Sequence, residues 1–559
     1  MHNDLPAADR SGPEPLPRHE HFPEVSYHDD DELVKKTLDI FTHHFRAAED
    51  DNQTMETKVW AVQDWMAKCG IDTTRLNTTD TDASTSTTAN LTSNTDATEA
   101  DTGSTLVYSL IRIMATQVAS VFFSDDQPFK YHPANSGFHG FASLAEAEPI
   151  AAQYNRLARK TMELDDFTIK CISFLHSLIK YGNVPLHIHW RYETAERRHR
   201  LPIQEVGADG NIQTTAFNFV DNTVITANYP ALKVLNPEDF FANRLIPDLK
   251  NQQCITIKSL MSYSQLWAGQ RADQYHDIER LNDSHLFFGQ DRSDMHNERA
   301  KNLGLSEFDN TETGQYLVHD TYIRLPIDED GKWDAKKNEW KWYWLTLVGD
   351  IDEPVVVRFQ RNPDPDDEPP FLMLHAQPDD GDSLYHFSHT EALESNFREE
   401  TTAKNQMIDS KTLQLRRPLL GVRGEVFSKD LAYASDKVLW VEGVNSLKPM
   451  DVPSTVFECQ SVLQMLQDDS KRAVGALDPV TGEAMGSRTS ALEADNAFNQ
   501  ALQPSMVLVR YIAHQLFPWY AKKIYRMWQL YSLPDQVLEI THEEQRYEIH
   551  PAEMWGEFD

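Results

Sequence analysis

Residues 475–520 read GALDPVTGEAMGSRTSALEADNAFNQALQPSMVLVRYIAHQLFPWY, a glycine-punctuated run that passes abruptly into a long helical pattern. Ser490 followed by Glu493 is a capping box. Its hydroxyl accepts from the amide three residues on, and the carboxylate reaches back to the cap amide. The box predicts a helix over 490–532, about 63 Å long at 1.5 Å per residue. Gly475, Gly482 and Gly486 leave the preceding run conformationally free, so 475–489 reads as a loop hung on that helix. Pro504 and Pro518 each remove a helical hydrogen bond and crowd the preceding turn, which predicts a kink or a break. The later half carries Leu508, Ile512, Leu516, Tyr520, Ile524 and Trp528 at helical spacing, a core-facing stripe. From 505 to 530 the charges are Arg510, Lys522, Lys523 and Arg526, whereas 533–559 hold eight acids and Arg546. That contrast predicts pairing between the two segments.

Two further capping boxes stand upstream, Ser388/Glu391 and Thr455/Glu458, and predict helices over 388–415 and 455–474. The first is polar nearly all round, with Leu393, Phe397, Met407 and Ile408 among its few apolar residues. Such a helix is marginal alone. It bridges two lobes in water, or it packs sideways against copies of itself in a ring. Between the two lies a short α/β or β module, 416–453.

Towards the N-terminus the apolar period changes. Over 184–375 alternating segments such as VPLHIHWRYE, YLVHDTYIRLPI and WKWYWLTLVGD predict strands, with a helical interruption at about 257–303. Helices are predicted at about 31–69, 104–124, 142–160 and 161–182, the last ending at Gly182-Asn183. Residues 72–105 are a Ser/Thr/Asp/Asn-rich insertion too polar to offset its own ordering entropy, and 1–30 read as a flexible or strapping arm. The fold class is α+β.

The chain has 559 residues, more than one core usually supports, which predicts several domains or one elongated subunit. Its formal charge of -35 disfavours coating nucleic acid or an anionic membrane surface. Cys69, Cys171, Cys254 and Cys459 form no CxxC pair, a pattern of reduced thiols in a cytosolic setting rather than of a zinc site. The start of the chain is polar and Pro-rich, unlike a signal peptide. The most apolar run, 106–123, contains Arg112 and Gln117 and reads as a buried helix.

Enzymatic signatures are sparse. His187 and His189 share a strand face, but no third ligand accompanies them, so no metal is expected there. The acidic loops NPDPDDEPP (362–370) and PDDGD (378–382) lack EF-hand spacing and read as solvated linkers. There is no P-loop, G-x-S-x-G, Rossmann fingerprint or HExxH in the sequence. No catalytic residue and no cofactor are expected. The competing reading is a soluble metal-dependent hydrolase with an unrecognised site.

The order of these parts carries a resemblance. EALESNFREETTAKNQMIDSKTLQLRRPLLGVRG (391–424), GSRTSALEADNAFNQALQPSMVLVRYIAHQLFPWYAKKIY (486–525) and YPALKVLNPEDFFANRL (229–245) resemble the portal, or head-to-tail connector, proteins of tailed bacteriophages of the short-tailed type. The resemblance covers roughly 100–555. It implies a structural, non-enzymatic ring subunit in the virion, at the portal vertex of the capsid, assembled in the host cytoplasm. The ring would have 12 copies.

The resemblance also implies a division of the chain. The wing would span 31–384, the stem helices 385–415 and 454–474, the clip 416–453, the tunnel loop 475–489 and a kinked wing helix 490–532. The segment 533–559 would begin a crown. Asp478, Thr481, Glu483, Met485, Ser487 and Arg488 would face double-stranded DNA in the channel, and Pro504 would turn the helix outwards. The implied partners are the terminase large subunit, tail adaptor proteins, the major capsid protein and scaffold, with no membrane. Stacked copies of so acidic a chain would repel phosphate, so DNA would slide rather than stick. Against that background Arg416, Arg417, Arg423 and Lys429 form a basic stretch. It reads as a contact to a neighbouring subunit, an adaptor or DNA, or as a solvated face.

Overall fold

A computed structural model of the protein describes residues 31–67, 104–123, 128–132, 144–206, 212–271, 274–281, 286–288, 312–327, 333–335, 339–351, 354–364, 366–378, 383–415, 419–421, 447–449, 456–474, 491–532, 538–542 and 545–550. The arm 1–30 and nearly all of the Thr-rich insertion lie outside the described residues.

The N-terminal helices are α1 (Asp31–Met55), α2 (Ala61–Ala67), α3 (Leu106–Phe122), α4 (Leu144–Leu164) and α5 (Phe167–Tyr181), with a π turn at Glu56–Trp60 joining the first two. Strands follow: β1 (Asn183–Val206), β2 (Ile212–Val234), β3 (Phe240–Ala242) and β4 (Cys254–Ser262). After helix α6 (Tyr263–Arg271) come β5 (Leu286–Phe288), β6 (Glu312–Leu325), β7 (Lys341–Val348), β8 (Val355–Arg361) and β9 (Phe371–His375). The remainder comprises α7 (His389–Ala392), α8 (Glu394–Leu415), β10 (Leu419–Gly421), β11 (Leu447–Pro449), α9 (Val456–Ala473), α10 (Ala491–Tyr531), β12 (Leu538–His542) and β13 (Gln545–Ile549). The α+β class is as the periodicity predicts.

Two antiparallel sheets organise the middle of the chain. One runs β3-β4-β6-β7-β8, with β5 on β6, and the other β2-β1-β9. Helix α1 covers the larger sheet, seating Leu33, Phe41 and Phe45 against Phe241, Ile323, Leu345 and Leu347. Helices α3, α4, α5 and α10 share a second core with the base of β1, β2 and β9. In α5 the buried residues Phe167, Cys171, Phe174, Leu175, Leu178 and Ile179 form one helical stripe. The run 106–123 is a buried helix, with Val107, Leu110, Met114 and Val118 inside. Among the described residues no helix is long and apolar enough to cross a membrane.

Three boundaries differ from expectation. Residues 257–262, the start of the expected helical interruption, belong to β4 (Cys254–Ser262), and among the described residues of 257–303 helix is confined to Tyr263–Arg271 and a 3-10 turn at Ile278–Arg280. The first four residues of β4 are all buried, so two covered faces erase the alternation that identifies a strand. The break between α4 and α5 falls at Asp165-Asp166, where Asp166 takes φ 51°. The buried Asp165 carboxylate there accepts from the Leu232 amide at 2.9 Å and from Lys170, tying the corner to β2. Finally, the predicted helix over 388–415 is interrupted at Leu393.

The Ser388/Glu391 capping box is present: Glu391 N donates to Ser388 Oγ at 3.0 Å, and Ser388 N to Glu391 Oε2 at 2.8 Å. It sits against Gly182, the end of α5. Gly182 has φ 76°, donates to Leu178 O at 2.8 Å, and leaves no room for a side chain. A Cβ there would lie 2.8 Å from Ser388 Cβ and 3.0 Å from His386 O. Gly182→Ala should therefore cost more than the about 1–2 kcal/mol of a left-handed L-residue. Thermal unfolding of the purified variant measures this; an unchanged midpoint would contradict the packing described.

Candidate functional site

Helix α10 is the longest element, 41 residues, and its assignment is unbroken through Pro504 and Pro518. Neither proline ends it. Pro518 lies on the exposed side, where water can serve the carbonyl that its missing N–H leaves free. On the opposite side Ile512, Leu516, Tyr520, Ile524 and Trp528 are buried in the main core, as the stripe predicts. Each such side chain contributes about 1.5–3 kcal/mol on burial. Trp528 also donates to Thr161 Oγ1 at 3.0 Å, and Tyr131 donates to the Ala521 carbonyl at 2.7 Å.

Three cations of α10 meet the loop 362–370, while most of the acids of 533–559 lie outside the described residues. Lys523 is 2% exposed, yet it reaches the Asp364 carboxylate directly and stands 3.8 Å from Glu368 Oε2. Lys522 meets Asp366 at 2.9 Å, and Arg526 approaches the same carboxylate at 3.7 Å. Glu368 also receives Lys250 at 2.8 Å. The loop 362–370, read above as a solvated linker, is thus clamped on the long helix. Its acids were legible in the sequence; their partners, 118 or more residues away, were not. Burial alone would raise the Asp366 carboxyl, but its hydrogen bond to Lys522 and the charges of Lys522, Arg526 and Lys523 hold it below its ordinary value. Glu368 is likewise held low against burial by Lys250, Lys523 and Lys522. Both groups stabilise the fold above the unfolded carboxylate range, and that contribution is lost as pH falls through their lowered folded values.

Helices α8 and α9 run antiparallel. Asn396 donates to Ser470 Oγ at 3.2 Å and Gln467 to Glu400 Oε1 at 3.0 Å, while Ser104 donates to Glu400 Oε2 at 2.8 Å. Along the buried seam stand small residues, Ala403, Ser410 and Ser470, with Leu466. The outer side of α9 carries uncovered apolar residues among exposed polar ones: Phe457 is 82% exposed and Met465 58%, and Val462 is exposed as well. Strands β10 and β11 pair antiparallel between the two helices in the chain.

Most of the predicted site residues fall where no geometry is described. Arg416, Arg417, Arg423 and Lys429, and the loop residues Asp478, Thr481, Glu483, Met485, Ser487 and Arg488, lie outside the described residues, as do Ser490 and Thr455. The helices beside them begin at Ala491 and Val456, one residue after those two cap positions. Pro504 is in the helical body of α10.

The histidine pair of β1 offers no reactive group. His187 and His189 stack with ring centres 5.3 Å apart. Burial, followed by mutual repulsion and Lys233, keeps His187 well below its usual value, and burial with nearby cations lowers His189 to about 4. Both are neutral at pH 7. Among the described residues no group of three or more His, Cys, Asp or Glu side chains is arranged to hold a metal ion. Cys171 and Cys254 are buried, unpaired thiols.

Among the described residues stand a 41-residue helix, an antiparallel helix pair and an α+β body. A family profile described as Phage SU10 portal protein matches residues 62–559. The chain belongs to that family of phage portal proteins, whose role is structural and associated with the capsid as an oligomer. A search of curated proteins found no match.

The buried clamp has a measurable signature. Lys523→Met leaves Asp364 without its cation and should cost on the order of 3–5 kcal/mol. Lys522→Met, at a half-exposed pair, should cost less than about 1 kcal/mol. Denaturant unfolding of the two variants side by side tests this, and equal losses would contradict it.

Proposed function

We propose that the protein forms a ring of 12 copies at one capsid vertex and serves as the channel for genome packaging and ejection. In this reading α8 and α9 are the stem, 416–453 the clip, 475–489 the tunnel loop, α10 a wing spoke, and 533–559 the start of a crown. The clip docks the terminase large subunit during packaging and tail adaptors afterwards. The wing meets the major capsid protein and scaffold. Arg416, Arg417, Arg423 and Lys429 contact a neighbouring copy, an adaptor or DNA at the exit. Asp478, Thr481, Glu483, Met485, Ser487 and Arg488 face double-stranded DNA, and Pro504 lets the spoke bend away from the channel.

One observation supports this reading above the others. The α8–α9 pair hides mostly small residues and Leu466 between its two helices while leaving Phe457, Val462 and Met465 outside. A free hairpin would bury its apolar residues in its own seam. Flanks of this kind suit a helix pair with like pairs on either side, which supports the lateral-packing reading of the polar helix. The net charge of -35 supports the channel role, because an acidic wall repels phosphate instead of retaining it.

Electron microscopy of the purified protein should show rings with a central hole, and Phe457→Glu with Met465→Glu should yield smaller particles of unchanged helix content by circular dichroism. Intact rings of the double variant would remove the support drawn from α9. Deleting 479–487 should preserve rings yet impair DNA packaging or retention; loss of the rings would instead assign the loop to assembly.

A further inference from the structure

Strands β1 and β2 are 24 and 23 residues long, far longer than the sheet they belong to. Strand β9 pairs with β1 over Asn183–His187, leaving the rest of that edge without a strand partner among the described residues. The two strands pair with each other as far as Val206↔Ile212. From Thr194 outwards they form a two-stranded ribbon, about 40 Å long at 3.3 Å per residue. The register shifts between Glu193 and Thr194, at the root of this arm, where a bulge bends and twists a strand.

A two-stranded ribbon with open edges is marginal in water, and open edges invite pairing. This one also exposes apolar residues. Phe219 is 60% exposed and Ile225 38%, and their spacing of six puts them on one face. Among the described residues nothing covers that face. The stretch 191–200, RYETAERRHR, sets four arginines and His199 against two glutamates, in a chain of net charge -35. Arg197 is exposed.

A surface of opposite character lies at the corner between α4 and α5. Leu164, Ile169 and Ile172 are exposed there, Ile169 at 67%, flanked by the exposed acids Asp166 and Glu163, the latter meeting Lys160 at 3.3 Å. Ile169 and Ile172 are three apart and so share a helix face. The corner is rigid: Asp165 anchors it from below through Leu232 and Lys170.

We propose that the β1–β2 arm of one subunit docks on the α4–α5 corner of a second copy, with Phe219 and Ile225 on Leu164, Ile169 and Ile172 and the arm's arginines beside Glu163 and Asp166. The inference rests on the ring reading above and specifies how neighbouring wings are joined. The contact uses two different patches, the heterologous geometry that closes into rings. It also serves the arm, covering apolar surface that the single chain leaves in water.

The test replaces Phe219 in the full-length protein with the photo-crosslinker p-benzoylphenylalanine, a change at an exposed aromatic site. Irradiation of purified rings should give covalent dimers and higher species on a denaturing gel, with peptides mapping to 163–172. Arg197→Glu in the same background should lower the yield several-fold. Crosslinks confined to one chain, or mapping to another region, would overturn the inference. Microscopy of the sample before irradiation separates the two levels, since particles without rings would overturn the ring reading itself.

Discussion

The buried ammonium of Lys523 is the constraint around which much of this fold is arranged. A lysine that is 2% exposed is tolerable only if anions come to it, and the loop 362–370 brings Asp364 and Glu368. That loop is also the connection from β8, on the edge of the large sheet, to β9, which belongs to the small one. Clamping it to α10 sets both sheets against the long helix. The apolar residues of α10 supply the larger part of the packing energy, but they are non-directional. The charged clamp fixes where along the helix the loop sits.

A second set of contacts joins the body to the helix pair. Asn183 uses both ends of its amide here: its nitrogen donates to His386 O at 2.8 Å, and its oxygen accepts from His386 N at 2.8 Å. The same oxygen contacts His375 Nδ1 at 2.9 Å, and the His375 and His386 rings stack at 3.7 Å. Beside them Gln63 donates to Ser388 Oγ at 2.8 Å and Lys180 pairs with Asp64. Strand, helix start and N-terminal helix thus meet through a cluster of polar contacts around a glycine that no other residue could replace without displacement. Such a junction transmits the position of one part to another because its members are hydrogen-bonded to one another at close quarters.

The chain divides its surface chemistry by region. The core around α10 is aromatic and closed. The α8–α9 pair holds mostly small residues inside and carries uncovered apolar residues outside, and the β1–β2 arm is long, thin and partly apolar. The last two arrangements are costly for a chain alone in water. In the proposed ring, neighbouring copies would cover both.

Local signals in the sequence were enough for the helices with caps and one buried stripe. Ser388 and Glu391 announced a capping box that forms as expected, the stripe on α10 faces the core, and Arg112 and Gln117 kept α3 from being read as a membrane span. Such features involve neighbours within one or two turns, so the sequence alone contains their partners. Tertiary structure decided the rest. Strand β4 was hidden because burial on both faces removes alternation. The length of the β1–β2 arm was hidden because arginine-rich segments carry no strand pattern. The acids 362–370 looked like a solvated linker, yet folding pairs them with cations of α10 more than 150 residues away. Charge complementarity has no reach along a sequence. Only the packing of apolar surface brings such groups together, and only then does the low dielectric around them make their pairing obligatory.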